Sequence, residues 1–205
     1  MATPRRPSLD RQSEIADAVL FLLGRDGYGG LGVVPVAKHL GVTAGALYRH
    51  FSSWEAILEA AVLRAAELLE ETIPPAGAHA SGLEWLLAFS AARTAVLSAR
   101  RGVILLVFAG PVRSPTEAGP LHADAEARLF AASTASQEAL LAAARRGIAD
   151  QSLRRLPPPV VVRTVISHTL LNVLGGPPGL ASADPEAAAN ALRAVLAPTP
   201  ESSLR

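Results

Sequence analysis

The chain has no cysteine, a single lysine and few aromatic side chains. The absence of cysteine excludes disulfides, thiolate metal sites and cysteine nucleophiles. Lys38 is the only lysine, and 4% of the 205 residues are aromatic. The formal net charge is only +1, so any site for a polyanion must be confined to a small part of the surface.

Long apolar segments are also missing. The apolar run 102–110 is about half as long as a membrane span requires. The basic residues near the start are not followed by an apolar segment, so we expect no secretory signal. The sequence therefore predicts a cytoplasmic protein without membrane contact, and it predicts no cofactor.

Helix-forming residues dominate what is present. Half of the residues are hydrophobic, with Ala and Leu the most prominent, and both are good helix formers. In the first segment Ile15, Val19 and Leu22 recur at the spacing of one buried helical face. The pattern predicts an all-α protein of about nine helices. These cover approximately residues 8–25, 34–40, 44–51, 52–71, 81–99, 102–109, 121–149, 159–174 and 185–196.

Breaks in this pattern divide the chain. Residues 73–77 contain two adjacent prolines and a glycine and cannot be helical, so we place a boundary there. The predicted organisation is a flexible basic arm at 1–7, an N-terminal domain at 8–72, a larger helical domain at 80–197 and a tail at 198–205. Residues 110–120, which contain three prolines, are predicted to form a loop.

Helix caps are predicted at three places. Thr43 precedes the third helix and Asp184 precedes the last, where Pro185 fits the first helical position. Ser52 and Glu55 have the spacing of a capping box, in which the serine accepts from the backbone and the glutamate reaches back.

The most informative segment is 34–51, which has the pattern of a helix-turn-helix. Two short helices are joined by a turn that contains Gly41, and apolar residues such as Val36, Leu40 and Leu47 can pack beneath it. The second helix must then direct its remaining residues outward, where Arg49 could reach a phosphate or a guanine edge. These residues are Thr43, Ala44, Gly45, Tyr48, Arg49 and His50.

The same segment resembles the TetR family of bacterial regulators. The string Gly-Val-Thr-Ala-Gly-Ala-Leu-Tyr-Arg-His-Phe, followed three residues later by Glu-Ala-Ile-Leu, is similar to that family's recognition helix and the start of its fourth helix. The resemblance covers about residues 10–65. It implies a homodimer that binds a double-stranded DNA operator and responds to a small-molecule effector. It also implies that Lys38 and His39 lie near the DNA backbone.

Three positions depart from the family pattern. Gly32 and Val33 stand where a threonine commonly caps the second helix, and Pro35 replaces a residue that is often longer and polar. Trp54 stands where a lysine commonly meets phosphate. Fewer cationic contacts predict weaker binding that depends less on salt. Three arginines nearby could compensate: Arg5, Arg6 and Arg11.

The second half of the chain would be the effector-binding and dimerisation domain, and two of its strings, 97–103 and 166–170, resemble the branch related to tetracycline repressors. Trp85, Phe89 and Arg93 lie on one helical stripe and could line a ligand cavity with one charged group. Other large or polar groups in apolar sequence surroundings are Phe108, His122, Phe130, His168 and Asn172. The alternative is that the aromatic residues are ordinary core and the histidines are exposed or already hydrogen-bonded. His122 with Glu126 could contact a divalent ion, but two ligands do not predict a metal site.

The last two predicted helices are the candidate dimer interface, because they carry more apolar surface than packing on one neighbour requires. The residues predicted to contact the second copy are Val161, Val165, Leu170, Leu171 and Leu192.

These observations favour a repressor that a small hydrophobic effector releases from DNA. A DNA-binding regulator that answers to a protein partner, or to nothing, is the alternative. A helical enzyme is least supported, because the sequence has no phosphate-binding loop, no paired carboxylates and no recognisable nucleophile-base set.

Overall fold

A computed structural model describes residues 8–109, 123–175 and 184–199. Within these ranges all regular structure is helical, which confirms the all-α prediction. A short 3-10 helix, Tyr28–Gly30, follows the first α-helix. The α-helices are α1 Ser8–Asp26, α2 Val33–His39, α3 Ala44–Leu47, α4 Trp54–Glu71, α5 Gly82–Ala99, α6 Gly102–Ala109, α7 Ala123–Ala149, α8 Pro158–Leu174 and α9 Pro185–Leu196.

The chain forms two compact units. The first runs to Leu68 and also includes Ala99–Ser133, whereas the second consists of Leu69–Ser98 and the chain from Thr134 onward. Within the first unit, α6 packs on α1.

Close packing in the first unit depends on glycine. A Cβ atom on Gly102, the first residue of α6, would collide with the carbonyl oxygen of Leu20 in α1. A Cβ atom on Gly24 would in turn lie only 2.6 Å from the backbone nitrogen of Gly102. The two helix backbones can approach this closely because neither glycine has a side chain.

The second unit has its own hydrophobic core, built from α5, α7, α8 and α9. Its fully buried members include Leu86, Leu140 and Leu196. The C-terminal end of α9 is held by Arg154, whose Nε donates to the carbonyl of Ala197 at 2.7 Å. A cation at this end also complements the helix dipole.

The predicted caps have mixed outcomes. Asp184 caps α9 as predicted, accepting a hydrogen bond from the backbone nitrogen of Glu186 at 3.0 Å. The capping box predicted at Ser52 and Glu55 does not form, because α4 begins at Trp54. Ser53 caps the helix instead, and its hydroxyl accepts from the nitrogen of Ala56 at 3.1 Å.

Candidate nucleic-acid interface

α2, the following turn and α3 form a helix-turn-helix. Gly41 adopts φ +67°, a left-handed conformation that glycine tolerates and that ends α2. The nitrogen of Val42 then donates to the carbonyl of Ala37 at 2.9 Å, which closes the turn. Val36 and Leu47 are buried beneath it as predicted, together with Ala37, whereas Leu40 is only half-buried. The face of α3 opposite Leu47 is consequently directed away from the core.

The residues predicted to contact DNA lie on this surface. Ala44 and His50 are half-buried, whereas the others are exposed, namely Lys38, His39, Thr43, Gly45, Tyr48 and Arg49. Gly45 has no atom within 4 Å of the position that a Cβ would occupy, so its surroundings are open. Because no side chain projects from Gly45, the edge of a DNA groove could approach the backbone of α3 closely.

α3 is shorter than predicted. The pattern predicted a helix over 44–51, but the regular helix ends at Leu47 and continues as turns. The reason is a tightening of the last turn, where the nitrogen of His50 donates to the Leu47 carbonyl at 2.9 Å. Thr43 occupies the N-cap position, yet its hydroxyl makes no capping hydrogen bond, which corrects the predicted cap. That hydroxyl remains exposed at the start of α3.

α1 supports both helices of the motif, which sequence spacing did not reveal. The Nε2 atom of Gln12 donates to the carbonyl of His50 at 2.9 Å and so ties α1 to the end of the recognition segment. The ring of Phe21 stacks on His39 with 4.8 Å between centroids. Phe21 and His39 are far apart in the sequence, so no periodic pattern of hydrophobic residues predicts their contact. Only the fold brings them together.

Some of the cationic side chains around the motif form ion pairs and others do not. Lys38 and Arg49 are exposed and form no ion pair within the described residues. In contrast, Arg25 is bonded to Asp26, and this hydrogen bond lowers the pKa of the Asp26 carboxyl. Arg11 pairs with Glu14 at 2.6 Å, so its charge is partly neutralised rather than free to compensate for the missing contacts. The unpaired cations therefore belong to the helix-turn-helix itself.

The three departures from the family pattern are also visible. Gly32 is the N-cap of α2 and offers no side-chain hydrogen bond, and Pro35 is exposed in the first turn. Trp54 is half-buried as the first residue of α4. Arg5 and Arg6 lie outside the described residues.

Residues 15–61, which contain this motif, match the sequence model of the bacterial regulatory proteins of the tetR family. By sequence, this segment of the chain is a DNA-binding domain of the TetR type. No curated protein is significantly similar to it in sequence.

Solved structures of TetR-family regulators share the fold over nearly the whole chain. PfmR from Thermus thermophilus is 24% identical, covers 93% of this chain and 94% of its own, and has a TM-score of 0.62. AibR in complex with isovaleryl coenzyme A and operator DNA is 19% identical, with 92% and 100% covered and a TM-score of 0.68. The ketosteroid regulator KstR2 of Mycobacterium tuberculosis is 17% identical, with 92% and 96% covered and a TM-score of 0.67.

In the second unit, the predicted effector stripe is part of the core. Trp85, Phe89 and Arg93 are all buried. The indole nitrogen of Trp85 donates to the carbonyl of Pro74 at 3.1 Å. Arg93 donates through Nη2 to the carbonyl of Leu69 and to the hydroxyl of Ser136, each at 2.9 Å, and burial lowers its pKa to about 10.

The remaining predicted effector residues are scattered. Phe108 and Phe130 are 68% and 75% exposed, so neither ring belongs to the core of the described chain. Phe108 is the penultimate residue of α6, whereas Phe130 lies within α7. His122 lies outside the described residues. His168 and Asn172 are half-buried neighbours on α8.

Two cavities of ligand size lie in the described part of the second unit, apart from a more open depression beside Arg145 and Arg155. The Trp85 cavity, of about 350 Å³, lies between the loop after α4 and helices α5 and α7 and includes Arg146 in its wall. The α5–α9 cavity, of about 290 Å³, is lined by α5, α8 and α9 and includes His168 and Asn172. A stripe of hydroxyls on α5, Ser90, Thr94 and Ser98, lines this second cavity. Their spacing of four residues in an otherwise apolar helix was a readable signal that the sequence interpretation missed.

Three of the predicted dimer residues are not available to a partner. Val161, Val165 and Leu192 are at most 1% exposed, because they complete the core of their own chain. Leu170 is half-buried and Leu171 is exposed. The periodicity identified the apolar positions of α8 and α9 correctly but could not distinguish the face that the chain itself covers.

Among the described helices, none is long and apolar enough to cross a membrane. The same residues contain no group of three or more side chains arranged to hold a metal ion.

Proposed function

We propose that this chain is a TetR-family repressor that binds operator DNA as a homodimer and is released by a small-molecule effector. One observation carries the DNA-binding part. The exposed face of α3 combines open space at Gly45 with the unpaired cation Arg49, while Leu47 anchors the opposite face. Small residues permit close approach to a groove, and cations with phenolic and imidazole donors suit phosphate and base edges. Since chromosomal DNA is the partner, the proposed location is the bacterial cytoplasm.

DNA binding is tested by enriching binding sequences from a random duplex library with the full-length protein. The enriched duplex is then used in mobility-shift titrations. We expect Tyr48→Ala to abolish the shift, and Gly45→Leu to abolish it although a Cβ atom at this position meets no atom within 4 Å. Phe130→Ala removes an exposed aromatic ring outside the motif and should bind like the parent. Equal affinity of the parent and both motif variants would refute the assignment.

The dimer part rests on the exposed apolar residues of α8 and α9. Leu171, Leu174 and Val195 are 41%, 55% and 51% exposed, whereas the opposite faces of the same helices are buried in the core. Apolar side chains grouped in this way on two helices fit a second copy, which would form a four-helix interface with the same patch on both subunits. Two recognition helices could then contact two half-sites.

Sedimentation velocity measures this assembly directly. The parent chain should sediment as a dimer at micromolar concentration, and Leu171→Arg should produce monomers because a charge would be desolvated at the interface. Leu63→Arg is the matched control, since Leu63 is an exposed leucine of comparable exposure on α4. A monomeric parent, or dissociation by the control alone, would exclude this interface.

The effector part is supported by the two cavities in the second unit and by the relative AibR, which was crystallised with isovaleryl coenzyme A and operator DNA. The alternative is a regulator that responds to a protein partner. Release of the enriched duplex by a low-molecular-weight fraction of cell extract would support the effector. Release only by the protein fraction would support the alternative.

A further inference from the structure

We propose that the α5–α9 cavity is the effector site and that its ligand is a small uncharged molecule with a hydroxyl group on an apolar body. This inference rests on the proposed function, because it assumes that an effector exists. It goes further by naming the cavity and the chemical class. Three properties of the cavity support it: the charge of the wall, the direction of the hydrogen bonds in the wall and the volume.

The wall of the cavity is neutral. Among the described residues that line it, none is Asp, Glu, Lys or Arg. Its one titratable group is His168, and burial lowers the pKa of this imidazole, so the ring is uncharged near neutral pH. A carboxylate, phosphate or ammonium ligand would lose its hydration there without meeting an opposite charge. The wall therefore selects against ionised molecules.

The histidine is also already hydrogen-bonded. The Nδ2 atom of Asn172 donates to Nε2 of His168 at 3.0 Å, which requires that this ring nitrogen be unprotonated. The ring makes a further hydrogen bond to the backbone of Ala188. His168 thus shapes the wall and holds α8 against α9, and the ligand must be recognised by other groups.

Those groups are the hydroxyls of α5. Thr169 gives its only hydroxyl proton to the carbonyl of Val165 at 2.8 Å. In the 2.9 Å contact between Ser90 and Thr169, Ser90 must therefore be the donor, which leaves its oxygen able only to accept from a ligand. The hydroxyls of Thr94 and Ser98 make no hydrogen bond within the described protein and can donate or accept. A ligand hydroxyl can donate its proton to the oxygen of Ser90 and at the same time accept a hydrogen bond from Thr94 or Ser98.

Size and the rest of the wall fit a compact apolar body. The volume of about 290 Å³ equals roughly ten water volumes of ~30 Å³ each, which suits a molecule of about ten non-hydrogen atoms. Leu87, Leu192 and several alanines form the remaining surface. The Trp85 cavity differs in chemistry, because Arg146 brings a cation into its wall.

Thermal unfolding of the full-length protein tests the charge argument with matched compounds. We choose 2-phenylethanol, phenylacetate and 2-phenylethylamine, together with 1-octanol, octanoate and octylamine, all at millimolar concentration. A ligand that binds only the folded state at ten times its Kd raises Tm by about 3 °C or more. We expect at least one alcohol to raise Tm and the corresponding acid and amine to have no effect. A larger rise with a charged member, or no rise with either alcohol, overturns the proposal.

Two matched variants locate the site. Ala95 lines the α5–α9 cavity and Ala142 lines the Trp85 cavity, and both are exposed alanines within helices. Leucine is a good helix former, so Ala95→Leu and Ala142→Leu should both fold. The alcohol response should be lost in Ala95→Leu and kept in Ala142→Leu. The reverse pattern, or loss in neither, overturns the assignment of the cavity.

Mobility shifts with the enriched duplex separate this inference from the proposed function. Release of DNA by the alcohol from the parent but not from Ala95→Leu supports both. Release by a charged compound, unaffected by Ala95→Leu, keeps the effector mechanism and overturns the cavity and its ligand class. A rise in Tm without release keeps the binding site and overturns its role as the effector site.

Discussion

Asp17 of α1 accepts a hydrogen bond from Arg100, with 2.5 Å between Oδ2 and Nη2. Its other carboxylate oxygen lies 3.3 Å from Nε of Arg64 in α4. One half-buried carboxylate therefore balances two guanidinium groups from distant parts of the sequence. Arg100 depends on it strongly, because the buried Nε of Arg100 has no hydrogen-bond partner in the part of the chain that the structure describes.

Replacing this carboxylate should destabilise the first unit. We expect Asp17→Asn to lower the free energy of unfolding by about 1–3 kcal/mol, because two cations lose their shared partner and remain partly desolvated. Urea denaturation measures the change. Asp26→Asn removes the exposed partner of Arg25 and should have a much smaller effect, since exposed ion pairs contribute little. Equal effects of the two substitutions would contradict a structural role for Asp17.

Trp54 provides a test of the electrostatics of DNA binding. It stands at the first position of α4, where the resemblance to the TetR family implies a lysine at the DNA backbone, and it brings no charge. We expect Trp54→Lys to tighten binding and to steepen the dependence of log K on log salt concentration by about 0.9 for each added phosphate contact. Mobility shifts over a salt series measure the slope.

The control for this variant adds the same charge elsewhere. Leu63→Lys places a lysine on an exposed position of the same helix, so it changes net charge equally but lies nine residues away from Trp54. Its slope should stay close to that of the parent. If both lysines change the slope equally, the effect comes from overall charge and Trp54 does not lie at the DNA backbone.

The helix-turn-helix could be read from sequence because its determinants are local. The turn needs Gly41, and Val36 and Leu47 are close enough in sequence for their spacing to define one core. Local signals also placed Asp184 at the start of α9. They were less accurate at Ser52, where two adjacent serines could cap equally well and only the backbone selects Ser53.

Long-range relationships could not be read in the same way. The spacing of Val161, Val165 and Leu192 identifies apolar faces, but burial by the chain's own core and burial by a second copy produce the same pattern. The contact of Gln12 with His50 joins residues 38 positions apart and has no periodic signature. The α5–α9 cavity depends on three helices at once, so the hydroxyl stripe acquires meaning only after α8 and α9 are in place.

Arg93 is predicted to line an effector cavity, but its contacts also give it a structural role at the end of α4. It is 8% exposed, its guanidinium lies 4.8 Å from the ring centre of Phe89, and it donates to the Leu69 carbonyl in the last turn of α4. The hydroxyl of Thr72 donates to the same carbonyl at 2.8 Å. Arg93 therefore satisfies a carbonyl at a helix end, where a cation is favourable.

Two substitutions of Arg93 should separate packing from charge. Arg93→Ala loses the hydrogen bonds and most of the side-chain volume, and we expect it to cost about 2–4 kcal/mol of unfolding free energy. Arg93→Met keeps most of the volume and removes a buried cation that has no carboxylate partner among the described residues, so its cost should be smaller. Urea denaturation distinguishes them. A methionine variant as unstable as the alanine variant would show that the hydrogen bonds and the charge, rather than the packing of the side chain, carry the stabilisation.

His168 predicts how stability changes in mild acid. Burial lowers its pKa from 6.5, only partly offset by its hydrogen bond to the backbone of Ala188, so the folded state binds the proton more weakly than the unfolded chain. Stability must then decrease as pH falls through about 6.5 toward the lower pKa of the folded state, below which this contribution is constant. Protonation would also displace the donor Nδ2 of Asn172 from Nε2.

His168→Gln removes this titration while retaining a polar side chain. We expect the loss of unfolding free energy between pH 7.5 and 5.5 to be smaller in this variant than in the parent, because every other titratable group is common to both. Urea denaturation at three pH values gives the two slopes, and the imidazole proton resonances of the parent, assigned by their absence from the variant, give the pKa directly. Parallel stability curves, or a resonance that titrates at or above pH 6.5, would mean that His168 is not buried against α9 in solution. The neutral wall of the α5–α9 cavity depends on the same property, so the titration also decides whether that cavity can exclude charged ligands at neutral pH.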